Sequence, residues 1–152
     1  MRPTTKALSL PAAALALALS ACAEPPPSPT TVALRIDATE QMNQGAPARI
    51  KVYYLTSDAN FEAADFFSLF EEPGATLGQD LVTVDEYLLA PGETVEDVKS
   101  FDMAVPHVGV VAGLRDIDSP GWKATGDLAP RAPNPIVLAL SGEGAKVEPV
   151  VE

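Results

Sequence analysis

A recurring two-residue alternation of apolar and polar side chains constrains this chain more than any other feature. Val32, Leu34 and Ile36 alternate with Ala33, Arg35 and Asp37; Ile50, Val52 and Tyr54 alternate with Lys51, Tyr53 and Leu55. Successive side chains of a strand point to opposite faces, so this period specifies strands. Further strand-like stretches run from Leu81 to Leu89, Thr94 to Met103, Pro135 to Leu140 and Lys146 to Val151. His107 to Leu114 is apolar throughout, as expected of a central strand. Turn signals separate them: the polar connection Gln41 to Pro47, Ala90-Pro91-Gly92-Glu93, and Asp116 to Gly121. The Pro-rich stretch Gly126 to Pro135 reads as irregular. Only Asp58 to Phe70 changes to helical period. There Ala59, Ala63, Phe66, Phe67 and Phe70 share one face, Ser57 or Asp58 caps the start, and Glu71-Glu72-Pro73-Gly74 stops it. Seven or eight short strands with a short inserted helix predict an all-β sandwich over residues 31–152. Tyr53 and Tyr54 take opposite faces, one expected in the core and the other open to solvent.

Ahead of the sandwich lie two segments of different character. Arg2 and Lys6 precede 13 positions, Ala7 to Leu19, that are apolar except for Ser9 and Pro11. Leu19-Ser20-Ala21-Cys22 follows. A charged start, a short apolar run and a small-residue cleavage site describe a secretory signal over residues 1–21. A membrane-spanning helix needs about 20 apolar residues, so this run is not read as a span. Leu-Ser-Ala-Cys resembles the bacterial lipobox, and the resemblance implies lipid attachment at Cys22. One chain anchors marginally and several anchor stably. Ala23 rather than Asp after the cysteine implies the outer membrane. Residues 22–30, with four prolines between Ala23 and Thr30, read as a stiff extended tether.

Composition narrows the chemistry. Cys22 is the sole cysteine, which leaves no intrachain disulfide and no thiolate cluster. Without Arg2 and Lys6 the mature chain carries 8 basic against 21 acidic residues, a net charge of −13. Such a surface repels nucleic acid and anionic lipid headgroups and reads first as a well-solvated surface, with a basic partner as the alternative. No G-x-S-x-G surrounds a serine, and the single His107 opens an apolar strand. Asp116 and Asp118 read as turn residues rather than calcium ligands, and one histidine gives no ordinary zinc site. Trp122 is the one indole that could face a sugar. Phe61, Phe66, Phe67 and Phe70 read as the buried face of the helix, with a partner groove as the alternative. No catalytic, metal or cofactor site is expected. A periplasmic ligand-binding lipoprotein for a peptide or sugar is the competing class, which a deep apolar pocket would favour.

A family resemblance emerges from several stretches together. They are Ile50-Lys51-Val52-Tyr53-Tyr54-Leu55, Phe61 to Phe70, Thr76-Leu77-Gly78-Gln79-Asp80-Leu81, Leu88 to Glu93, and Gly109 to Asp116 followed by Trp122-Lys123. In order and spacing the chain resembles the outer-membrane lipoprotein of the type VI secretion system, the TssJ family. The resemblance implies a transthyretin-like or C2-like sandwich with an added helical element and no catalysis. It further implies a scaffold on the periplasmic face of the outer membrane, binding the periplasmic C-terminal region of the IcmF-like (TssM) inner-membrane protein. The positions matching the family's contact loop are Gln41, Met42, Asn43, Gln44, Gly45, Ala46 and Pro47. Replacing Gln41, Met42, Asn43 and Gln44 together by alanine is therefore expected to weaken partner binding in a titration. Unchanged affinity would remove the loop from the contact.

Overall fold

The computed structural model describes residues 24–118 and 120–150. The expected leader, Cys22, Ala23 and the last residue of the expected final strand lie outside them. Residues 24–29 are exposed and take no regular secondary structure.

Eight strands form two four-stranded sheets. They are β1 (Thr30–Ala38), β2 (Ala48–Leu55), β3 (Leu81–Leu89), β4 (Thr94–Phe101), β5 (His107–Gly113), β6 (Lys123–Asp127), β7 (Pro133–Ser141) and β8 (Gly144–Pro149). One sheet has the order β4-β1-β7-β8 and the other β3-β2-β5-β6. All neighbours are antiparallel except β1 and β7, which run parallel. The sandwich expectation holds.

The alternation in β1 does what its period requires. Val32, Leu34 and Ile36 are buried against the facing sheet, while Ala33 and Arg35 point outward. In β2 the rule changes partway. Arg49 is exposed, but Val52, Tyr53, Tyr54 and Leu55 are all buried. A strand buried on both faces needs a second layer over its outer side. Tyr54 points into the sandwich and stacks at a tilt on Phe101, 4.9 Å between centroids. Tyr53 points the other way, under the helical layer, and its hydroxyl donates to the Leu69 carbonyl at 2.7 Å. The expectation that one of the two tyrosines faces solvent is thus corrected: a separate core of Tyr53, Leu55, Phe61, Leu69, Leu77 and Val111 covers the outer side.

That covering layer is not one helix but three: α1 (Ala59–Ala63), α2 (Phe66–Glu71) and α3 (Pro73–Leu77). The break at Ala64 and Asp65 has two causes. Asp65 is extended (φ −82°, ψ 170°) and caps α2, its carboxylate accepting from the Ser68 amide at 3.0 Å. Those amide bonds hold its carboxyl below the usual range. Lys123 reaches from β6 to the carbonyls of Phe61, Glu62 and Ala64, so the end of α1 is satisfied without continuing the helix. The break resets the helical phase, and the face that turns inward carries Phe61, Leu69 and Leu77. Phe67, expected inside, is 58% exposed. Pro73 ends α2 as expected but also starts α3 at its first position, where proline's missing amide costs no hydrogen bond.

β6 escaped the pattern because Lys-Ala-Thr-Gly-Asp carries almost no apolar signal; its pairing with β5 defines it. A Cβ on Gly126 would lie 2.7 Å from Val147, so the missing side chain lets β8 close on this edge. On the opposite side β3 and β4 do not pair. Side chains latch them instead: Lys99 with Asp85, and the Tyr87 hydroxyl donating to Asp97 at 2.7 Å. Burial beside those carboxylates pushes the Tyr87 hydroxyl upward, so it stays a donor.

The tightest point between layers is Gly109, where a Cβ would fall 2.6 to 2.9 Å from the Phe61 ring. Gly109→Ala is expected to lower stability by about 1–3 kcal/mol, the usual range for overpacking. In urea the midpoint should fall with an unchanged slope; an unchanged midpoint would show that the helical layer yields freely.

Candidate functional site

β1 gives the molecule two distinguishable ends. The chain enters at Thr30, which is fully buried. Its hydroxyl donates to the Met103 carbonyl at 2.7 Å and accepts from the amides of Arg131 (2.9 Å) and Val105 (3.3 Å). Eight residues later β1 ends at Ala38, roughly 26 Å away at strand rise. The Gln41–Pro47 connection therefore lies at the end distal to Thr30, where the expected tether would join. The loop after β5 and the turn between β7 and β8 lie beside it.

Within the loop the residues divide by role. Met42 is fully buried in the sandwich core. It is one of the seven positions expected at the contact, but its thioether side chain plugs the end of the core instead of standing in solvent. Asn43 is also buried (8% exposed). Its amide donates to the Pro47 carbonyl at 2.9 Å, and its carbonyl oxygen accepts from the Arg115 amide at 2.6 Å. These bonds pin the loop to itself and to the chain after β5. Gln41, Gln44, Gly45 and Pro47 are exposed, and Ala46 is half-buried. Asn43, Gln44 and Gly45 all take the left-handed backbone, with φ of 49°, 57° and 76°. Asparagine and glycine tolerate this; for glutamine it carries a conformational cost.

Around the loop, Asn43, Gln44, Leu114, Asp116, Ser141 and Glu143 line a cleft of about 70 Å³. The turn bearing Ser141 and Glu143 is locked in place: a Cβ on Gly121 would lie 2.2 Å from the Glu143 carbonyl oxygen. The Asp118 amide donates to Asp116 at 3.2 Å, the local turn expected of this pair. Glu40, Asp116, Asp118 and Glu143 are exposed here against two exposed cations, Arg115 and Lys146, the latter 3.9 Å from Glu143, so acidic groups outnumber basic ones at this end. Leu114, Ser141 and Gly142 were not picked out by sequence reasoning. The Ser-Gly-Glu-Gly turn composition between two strands was the signal for the last of these.

The other sequence candidates fall elsewhere. His107 sits at the tether end, its Nδ1 3.1 Å from Asp127 and 3.8 Å from Asp58. Among the described residues no group of three or more histidine, cysteine or acidic side chains is placed to hold a metal. Trp122 packs edge-on against Phe66 at 5.4 Å.

Asn43→Ala should cost about 1–3 kcal/mol, because the Arg115 amide loses its partner in a buried setting. Hydrogen exchange should show the Arg115 amide deprotected in both Asn43→Ala and Asn43→Gly. The glycine variant should be the milder in stability, since it keeps the left-handed backbone without strain. Intact protection at Arg115 would show that the loop is held by other means.

Comparison with known proteins accords with this geometry. The family model described as type VI secretion lipoprotein (VasD, EvfM, TssJ) matches residues 30–143. The crystal structure of the T6SS lipoprotein TssJ1 from Pseudomonas aeruginosa is similar at a TM-score of 0.77 and 31% identity, covering 82% of this chain and 98% of that one. Serratia marcescens Lip, a membrane bound component of the type VI secretion system, is similar at 0.65 and 29%, over 82% of this chain and 98% of that one. A chain from a structure described as the T6SS protein TssM C-terminal domain (869-1107) from EAEC shares the fold, at 0.64 and 23%, over 77% of this chain and 99% of that one. No curated protein sequence matches significantly. With the family model covering most of the sandwich and TssJ1 matching over nearly its whole length, this chain belongs to the type VI secretion lipoprotein family.

Proposed function

We propose that this lipoprotein is a scaffold of the type VI secretion membrane complex, held on the periplasmic face of the outer membrane by lipid on Cys22. Its distal end captures the periplasmic C-terminal region of the IcmF-like inner-membrane protein. The observation that carries the reading is the polarity of β1: the tether joins at Thr30, and the Gln41–Pro47 loop sits at the strand's far end. A domain hung from the membrane by residues 22–30 would turn that loop into the periplasm. The loop backbone supports the same reading. Asn43 holds the left-handed stretch rigidly while Gln44 stands exposed. Strain of this kind persists where the surroundings enforce it, and it gathers at functional sites. The acidic rim suits a basic partner surface. Mechanism here is binding and positioning, without a chemical step.

The competing reading, capture of a peptide or sugar, needs a cavity of about 300–1,000 Å³. The distal cleft is several-fold smaller.

Two experiments address the two halves. Cys22→Ser is expected to move the protein from the membrane fraction to the soluble periplasm, with loss of fatty-acid labelling; retention in the membrane would contradict the anchor. The mature domain should bind the purified periplasmic C-terminal domain of the cognate IcmF-like protein with a Kd near or below the micromolar range, as transient assemblies of modest area do. No binding with both partners folded would overturn the scaffold reading.

A further inference from the structure

Phe67 is the one exposed aromatic among the large hydrophobic side chains that stand in solvent in the described chain. Leu88, Val98, Met103 and Val150, the others, are aliphatic. Phe67 meets Phe66 edge-on at 5.4 Å, and Phe66 in turn stacks on Phe70 at 5.0 Å and meets Trp122 at 5.4 Å. Phe66, Phe70 and Trp122 are themselves only half-buried, so four rings form one continuous, partly wet surface.

The patch is held rigidly. Asp65 caps the start of α2 through both the amide and the hydroxyl of Ser68. Lys51 donates to the Phe70 carbonyl at its end. Rigid aromatic area binds at low entropic cost, which is why such rings dominate interface energetics.

Its location ties it to the distal end. The Phe70 ring lies against Gly113, the last residue of β5, and Trp122 follows Gly121, which packs on the β7–β8 turn beside the cleft. The patch is therefore continuous with the loop face proposed above. Exposed Glu62, Asp65, Glu71 and Glu72 border it; of the nearby cations, Lys51 and Lys123 donate to helix-end carbonyls and Arg49 pairs with Glu86 at 3.4 Å. An apolar centre with a charged rim is the anatomy of a protein interface.

We propose that this aromatic surface on α2 is a second contact for the same partner that the Gln41–Pro47 loop captures, taking an apolar side chain flanked by lysine or arginine. The inference rests on the scaffold reading of that loop. The partner would grip one corner of the sandwich, with the loop on one side of the cleft and the α2 rings on the other.

The test uses the mature chain and the cognate periplasmic domain of the IcmF-like protein, titrated at low and moderate salt. Phe67→Ser is expected to raise Kd about tenfold or more, or 1.4 kcal/mol, while leaving the melting temperature unchanged because the ring is exposed. Glu71→Lys with Glu72→Lys should weaken binding and flatten its salt dependence. Val98→Ser, an exposed apolar residue on β4 in the other sheet, should stay within about twofold. Wild-type binding with Phe67→Ser inside that twofold margin overturns this surface alone and leaves the loop reading intact. Absence of wild-type binding overturns both. Phe67-dependent binding of glycan strands instead of the protein domain also overturns the proposal.

Discussion

The rest of the structure depends on the double burial of β2. Val52 and Tyr54 face the opposite sheet, while Tyr53 and Leu55 need cover on the other side. Everything unusual about this sandwich answers that need. The segment between β2 and β3 folds into three short helices over the strand, Phe61 settles on Gly109, and the Tyr53 hydroxyl is satisfied by the Leu69 carbonyl. Because the covering layer uses helices only five or six residues long, propensity cannot sustain it. Lysines from β2 and β6 close the helix ends, and the aromatic side chains are held by packing rather than by helical continuity. The outer face of the other sheet, with Ala33, Arg35 and Val98 in solvent, has no such layer.

Much of this was legible in the residues, and the failures have identifiable causes. Strand-like patterning, mostly period-two alternation, and one continuous apolar run at His107–Leu114 located seven strands, since a buried face leaves a clear mark. It could not locate β6, whose residues are small or polar and whose place is set by its neighbours. The helical segment was found, but its phase was not. Nothing in Ala64-Asp65 alone says that the chain will extend there, because the Lys123 bonds that favour the break come from 58 residues or more further along. With the phase misread, Phe67 looked like core and Leu69 like surface. The loop was chosen through family resemblance, and its division into a buried half and a presented half was hidden. Met42 and Asn43 look as available as Gln44 in one dimension; only the core's open end and the Arg115 amide separate them.

The proposed scaffold role would join membrane to partner through one strand. Thr30 ties the β4–β5 and β6–β7 connections together where β1 begins, and β1 then runs between two ladders to the loop at the far end. In the proposed reading a rigid element relates tether to capture loop, and the standoff of the loop from the membrane would be set by tether length plus one strand. Acidic loops and half-exposed rings share the far end, whereas His107 with its carboxylates sits near the tether.

The most direct test of this polarity is site-specific photo-crosslinking in intact cells, with the crosslinking residue placed either at Gln44 or at Asp102, which is exposed beside the buried Thr30 contact. The account predicts that Gln44 yields an adduct with the IcmF-like protein and that Asp102 does not. An adduct from Asp102 alone would place the partner at the tether end and contradict the central claim.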